Sequence, residues 1–125
     1  GRERSVTVLD ASAVLAYVQG EVGHDRVRLA LRNGAAISTA NWAEVAQKLR
    51  RIGSWNIARS LLLSYPLAVS PVTLDEAEAA AALWASYPNL SLGDRLCLAL
   101  AGRLDMIALT ADREWAGIDR VELIR

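Results

Sequence analysis

The chain has 125 residues, 53% of them hydrophobic, and carries 14 Lys and Arg against 14 Asp and Glu, so its formal net charge is zero. That length suits one core, and the balanced charge excludes a protein drawn to nucleic acid by bulk attraction. A single cysteine, Cys97, excludes an internal disulfide or a cysteine-rich zinc site, and a single histidine, His24, leaves any chemistry to carboxylates.

Residues 1–5 are polar and are expected to form a disordered or appended tail, with one domain over residues 6–125. No apolar run free of charge reaches the ~18 residues needed to span a bilayer, and no signal-peptide pattern is present, so no membrane association and a cytoplasmic location are expected. Val6-Thr7-Val8-Leu9 is short and β-branched, the pattern of a buried parallel strand. It ends in Asp10-Ala11-Ser12, and Ala13 to Gln19 continues as a helix. Asp10 therefore stands at a strand-to-helix junction, where a carboxylate is either a helix N-cap or part of a ligand crevice.

After the turn Gly20-Glu21-Val22-Gly23, His24 to Arg32 forms a second amphipathic helix closed by Asn33-Gly34. Ala35 to Ser38 reads as a short strand. Thr39 starts a third helix that runs to about Ile52 and stops at Gly53, and within it Asn41 and Glu44 have capping-box spacing. Lys48, Arg50 and Arg51 are the densest basic cluster and read as a solvated face. Ser54 to Tyr65 is a further helix, ended by Pro66. Its Trp55, Ile57, Ala58, Leu61, Leu62 and Leu63 are too many for one stripe. The surplus is covered by the same chain or forms an interface with a second copy or a partner.

Leu67 to Val69 is a third strand. Thr73-Leu74-Asp75-Glu76 opens a fifth helix as a capping box, with Asp75, Glu76 and Glu78 assigned to the helix end and Trp84 closing its apolar face. Ser91 to Ala101 is a helix apolar almost all round, which must lie buried. Asp94 stands three residues after Ser91, again at capping-box spacing. Gly93 before it costs ~1 kcal/mol of helix propensity relative to Ala, which makes sense where something approaches the backbone closely. Met106 to Leu109 is a fourth strand that ends in Thr110-Ala111-Asp112, and Val121 to Ile124 is a last, edge strand.

Strands and helices alternate, so a parallel sheet with helices on both faces is the economical topology. Its strand ends and the helices that follow gather Asp10, Glu44, Asp94 and Asp112 along one edge. Two carboxylates about 4 Å apart repel by roughly 4 kcal/mol at an effective dielectric of 20, and helix dipoles offset only ~0.3 to 1 kcal/mol each. Such a cluster partly protonates or splays apart unless a cation sits in it. Oxygen-only ligands select Mg²⁺ or Mn²⁺, and the expected chemistry is metal-assisted attack of water on a phosphodiester. Setting these four acids aside leaves the rest of the chain at +4, with thirteen Arg and one Lys among its bases.

Four segments carry a resemblance. Val8-Leu9-Asp10-Ala11-Ser12-Ala13, Asn41-Trp42-Ala43-Glu44-Val45, Ser91 to Ala101 and Leu109-Thr110-Ala111-Asp112-Arg113-Glu114-Trp115 resemble the acidic motifs of PIN-domain ribonucleases, most of all the VapC toxins of toxin-antitoxin pairs. The resemblance spans nearly the whole chain from Val6. It implies a three-layer αβα sandwich around a mostly parallel sheet of four to five strands. It further implies a Mg²⁺- or Mn²⁺-dependent endoribonuclease held inactive by a cognate antitoxin, and a tendency to form a homodimer. Asp10, Glu44, Asp94 and Asp112 map onto the family's acidic quartet, with Asp10 and Asp94 holding the principal metal. Glu44 and Asp112 would orient the attacking water or complete a second site. Ser12 and Thr110 match supporting hydroxyl positions, and Arg95 and Arg113, beside two of the acids, are candidate RNA contacts. A catalytically silent PIN fold that serves as a binding module is the alternative. A phospho-receiver domain is a weaker one, because Asp10 is followed by Ala11 and Lys48 sits in mid-helix.

Overall fold

The computed structural model describes residues 6–125; the tail expected over residues 1–5 lies outside the described residues. Strands β1 (Thr7–Leu9), β2 (Ala35–Ser38), β3 (Leu67–Ser70), β4 (Ile107–Thr110) and β5 (Val121–Leu123) form one sheet in the order β3-β2-β1-β4-β5, parallel throughout. Helices α1 (Ala11–Val18), α2 (His24–Asn33), α3 (Thr39–Arg51), α4 (Trp55–Leu63), α5 (Leu74–Leu83) and α6 (Leu92–Leu104) connect them. All-parallel strands require such crossovers, which cover both faces.

Side chains alternate across each strand, and the alternation divides the core in two. Leu9, Ile37 and Leu109 point to the face covered by α1 to α4, where they meet Val14, Leu31, Val45, Leu49, Trp55 and Leu62. Val8, Ala36 and Ala108 point to the other face, against Cys97, Leu100 and Trp115. The small alanines there let α6 lie close to the sheet, and α5 packs on α6 as an outer layer. Gly23, in the turn before α2, has a positive φ, and a Cβ there would lie 2.6 Å from the Ile124 carbonyl oxygen. Only glycine lets the end of the last strand pass so near.

One expectation about the helices is corrected, and one of two open readings is set aside. Trp84 is 60% exposed beyond the end of α5 and closes no apolar face, because α5 buries Glu76 and Ala80 against α6 instead. The surplus on α4 is not covered by the chain: Trp55, Ala58 and Leu62 are buried, whereas Ile57 is 80% exposed and Leu61 and Leu63 are also exposed, beside exposed Ile52. Among the described residues, no helix is long and apolar enough to cross a membrane.

Candidate active site at the carboxyl edge of the sheet

The chain leaves β1 toward β2 and β3 on one side and returns to β4 and β5 on the other, so the strand order reverses between β1 and β4. Ligands of open α/β sheets bind at the carboxyl end of such a reversal. Asp10 N–H donates to the Leu109 carbonyl at 3.1 Å, which extends the β1–β4 pairing one step and sets the Asp10 side chain beside Thr110.

Asp10 is buried, 2% exposed, and holds only neutral donors. Ala13 N–H donates to its Oδ1 at 2.8 Å, the N-cap bond of α1, and Thr110 Oγ1 donates to Oδ2 at 2.7 Å. Ser12 Oγ lies 2.8 and 2.9 Å from the two oxygens. The hydroxyls are themselves fed by backbone: Ala111 N–H donates to Ser12 Oγ at 2.9 Å and Asp112 N–H to Thr110 Oγ1 at 3.0 Å. Each hydroxyl has one proton, and an ionised carboxylate accepts both. The 3.2 Å contact between Ser12 Oγ and Thr110 Oγ1 is then a consequence of sharing Asp10, not a bond of its own.

Burial pushes the Asp10 carboxyl up to about 6; the bonds from Thr110, Ala13 and Ser12 oppose that rise, and the negative charge of Asp94 adds slightly to it. Desolvation, more than repulsion among acids, therefore sets the electrostatics. The thiol of Cys97 is also driven well up, by burial first and then by the charges of Asp10, Asp94 and Glu44, so it stays protonated and unreactive.

Glu44 is fixed by a contact that spacing alone misreads. The N-cap of α3 is Ser38, whose Oγ accepts from Ala40 N–H, so Asn41 and Glu44 form no capping box. Asn41 is fully buried, and its Nδ2 donates both to Glu44 Oε1 at 2.8 Å and to the Gly93 carbonyl at 3.1 Å, tying α3 to α6. A Cβ on Gly93 would lie 2.7 Å from Glu44 Oε2; the missing side chain is the room the carboxylate occupies. Asp94 closes the capping box of α6 with Ser91, its Oδ2 accepting from Ser91 N–H at 3.1 Å, and Asp112 caps the following 3-10 turn through Glu114 N–H at 2.9 Å. Asp94 Oδ1, Glu44 Oε2 and Asp112 Oδ2 accept no hydrogen bond among the described residues.

These four acids line one hollow of about 330 Å³ together with Ser12, Leu15, Gln19, Glu21, Lys48 and Arg125. A second hollow of about 610 Å³ shares Ser12, Asp112 and Arg125 with it and adds Arg113 and Val22. Arg95 lines neither: its Nη1 donates to the Ala80 carbonyl at 2.7 Å, bracing α6 against α5. Lys48, read from sequence as solvated, reaches the acid hollow one helical turn after Glu44, and that i to i+4 spacing is the signal for it. For Arg125, paired with Glu21 at 3.1 Å, no local signal exists.

Among the described residues, no three His, Cys, Asp or Glu side chains converge into a cage that could hold a metal ion. The donor set suits a hydrated ion instead. Mg²⁺ is bound through one or two carboxylates and keeps several waters, and the buried Asp10 beside Asp94, with free oxygens around it, offers that minimum.

The arrangement defines an α/β domain with a carboxylate-lined cleft at its strand reversal. The PIN domain family matches residues 7–121, and the chain belongs to that family. Solved structures share the fold at low identity. A toxin-antitoxin complex from Klebsiella pneumoniae is 23% identical with a TM-score of 0.82, over 95% of this chain and 98% of that one. VapC20 of Mycobacterium tuberculosis, described as a toxin that cleaves the sarcin-ricin loop, is 18% identical with a TM-score of 0.70, over 90% and 95%. VapBC2 of Rickettsia felis, bound to promoter DNA, is 16% identical with a TM-score of 0.71, over 94% and 96%. No match is found among curated protein sequences.

Proposed function

We propose that the protein is a divalent-metal-dependent endoribonuclease of the VapC type, with Asp10, Glu44, Asp94 and Asp112 as its acidic quartet. The observation that carries this reading is the shared hollow: four carboxylates from segments far apart in sequence line it together, and the most buried of them, Asp10, is held by neutral donors and has no ion pair among the described residues. Asp10 and Asp94 would hold Mg²⁺ or Mn²⁺, whose chemistry there is to polarise the phosphodiester and acidify water. Glu44, through its free Oε2, and Asp112, through its free Oδ2, accept hydrogen bonds from the attacking water and orient it. Ser12 and Thr110 keep Asp10 ionised and pointed at the hollow. Arg113, in the adjoining hollow, contacts RNA phosphate.

A cognate antitoxin belongs to the same reading, supported by relatives solved as toxin-antitoxin complexes. The exposed Ile52, Ile57, Leu61 and Leu63 offer an apolar face for that antitoxin or for a second copy in a homodimer.

The test is Asp94→Asn, assayed for RNA cleavage with added Mg²⁺ or Mn²⁺ and for metal-free thermal stability. The Asn oxygen still accepts from Ser91 N–H, so the helix cap survives. The expected result is lost cleavage with stability unchanged or raised. Retained cleavage removes Asp94 from the mechanism, and a wild-type protein that cleaves no RNA with either ion leaves only a binding module.

A further inference from the structure

The acid hollow holds five carboxylates, those of Asp10, Glu21, Glu44, Asp94 and Asp112, and two cations, Lys48 and Arg125. Arg125 is already paired with Glu21. Lys48 is the only lysine of the chain, is exposed, and makes no ion pair or hydrogen bond among the described residues, although Glu44 lies one turn before it on α3. Opposite charges one turn apart on a helix attract only weakly when exposed, and this ammonium is left free at the wall of the hollow. Here Asn41 already holds Glu44 toward Gly93 and α6.

A phosphodiester entering this hollow carries its own negative charge. With Arg125 engaged, four carboxylates remain to oppose it, and a single divalent ion neutralises only half of their charge. A further cation that no protein carboxylate has claimed is needed for the phosphate to enter, and Lys48 is the one present.

Resting on the ribonuclease reading above, we propose that Lys48 grips a phosphate oxygen of the bound RNA inside the acid hollow and so sets the affinity for the strand. Lysine suits this work as a flexible point charge that follows the phosphate. Lys48 lines the acid hollow and Arg113 the second one, so the strand finds in each one cation besides Arg125, which is paired with Glu21.

The experiment is steady-state cleavage of a single-stranded RNA oligonucleotide by the full chain in Mg²⁺ or Mn²⁺, comparing wild type, Lys48→Gln, Lys48→Arg and Arg51→Gln. Arg51 stands on the same helix, is exposed and lines neither hollow, so its variant loses the same charge outside the site. Lys48→Gln is expected to raise KM about tenfold with kcat changed less than about twofold. It should also flatten the dependence of log KM on log salt by about 0.7, one single-strand phosphate contact. Lys48→Arg restores most of the affinity, and Arg51→Gln stays within about twofold of wild type. A Lys48→Gln KM equal to wild type, or matched by Arg51→Gln, overturns the proposal. So does a fall in kcat at unchanged KM, which places the ammonium on the carboxylates and not on the substrate. If wild type cleaves and Lys48→Gln is silent, this inference alone fails. If wild type neither binds nor cleaves RNA, the ribonuclease reading fails and takes it along.

Discussion

Two carboxylates in this protein are buried to the same degree, and their surroundings could hardly differ more. Glu76, 2% exposed at the start of α5, meets the Arg103 guanidinium at 2.7 Å and the Thr73 hydroxyl at 3.1 Å. Asp10, also 2% exposed, meets two hydroxyls and one backbone amide, has no ion pair among the described residues, and has its pKa pushed further up by the negative charge of Asp94. The fold supplies a counter-charge for the first and withholds it from the second. Glu76 lies at one end of an apolar groove of about 540 Å³ between α5 and α6, larger than the acid hollow, yet with a single matched ion pair. Apolar lining points to that groove; charge left uncompensated points to Asp10.

The comparison can be broken most forcefully by substitution. Asp10→Asn is expected to reduce RNA cleavage by a factor of about 10³ or more, roughly 4 kcal/mol of transition-state stabilisation, while Glu76→Gln leaves the kcat of the folded fraction near wild type. Equal losses from both would erase the distinction drawn between them.

A second test uses pH. The Asp10 carboxyl has a folded-state pKa of about 6 against an ordinary 3.8, so its contribution to stability is fully present below about pH 4 and is lost as pH rises through 6, a total of about 3 kcal/mol. Metal-free protein should therefore melt at a lower temperature at pH 7 than the same protein with Asp10 replaced by Asn would predict, and Mg²⁺ or Mn²⁺ should raise the melting temperature at pH 7. An identical pH dependence in wild type and Asp10→Asn would contradict this account.

Removing the counter-charge at the other carboxylate is the mirror experiment. Arg103→Met leaves Glu76 buried and unpaired and should cost about 2 kcal/mol in denaturant unfolding. That is below the 3 to 5 typical of fully buried pairs, because Arg103 is 43% exposed. Cleavage per folded molecule should not change.

The smallest effect is the most local. Gly93→Ala gains at most ~1 kcal/mol of helix propensity, but its methyl displaces the Glu44 carboxylate. Stability near or above wild type with cleavage lowered about tenfold would show that the glycine serves the site, whereas full activity would show that Glu44 yields at no cost.

Much of this organisation is legible in the sequence. Short β-branched or alanine-rich runs gave the parallel strands, because strands buried on both faces read as continuous apolar segments. The acids at Asp10, Asp94 and Asp112 could be located because each also caps a helix or turn, and caps obey local rules. What escaped was non-local. Asn41 has the spacing of a cap but spans two helices. Arg95 stands beside a site acid yet is drawn to the carbonyls of Ala80 and Leu90. Glu76 has the sequence position of a first-turn acid, and nothing nearby announces Arg103, 27 residues later. Which partner a long polar side chain finds depends on tertiary packing, and spacing along one helix does not encode it.

The adjacency of β1 and β4 has a consequence for the chain as it is made. Asp10 receives the Thr110 hydroxyl from a residue 100 positions later in the chain, since β4 is the neighbour that carries it. A nascent chain that ends before β4 has β1 without that neighbour and Asp10 without that hydroxyl. On the ribonuclease reading proposed above, a ribosome-bound fragment that lacks Asp112 is expected to be inert, and cleavage to begin only once β4 and the turn after it have folded.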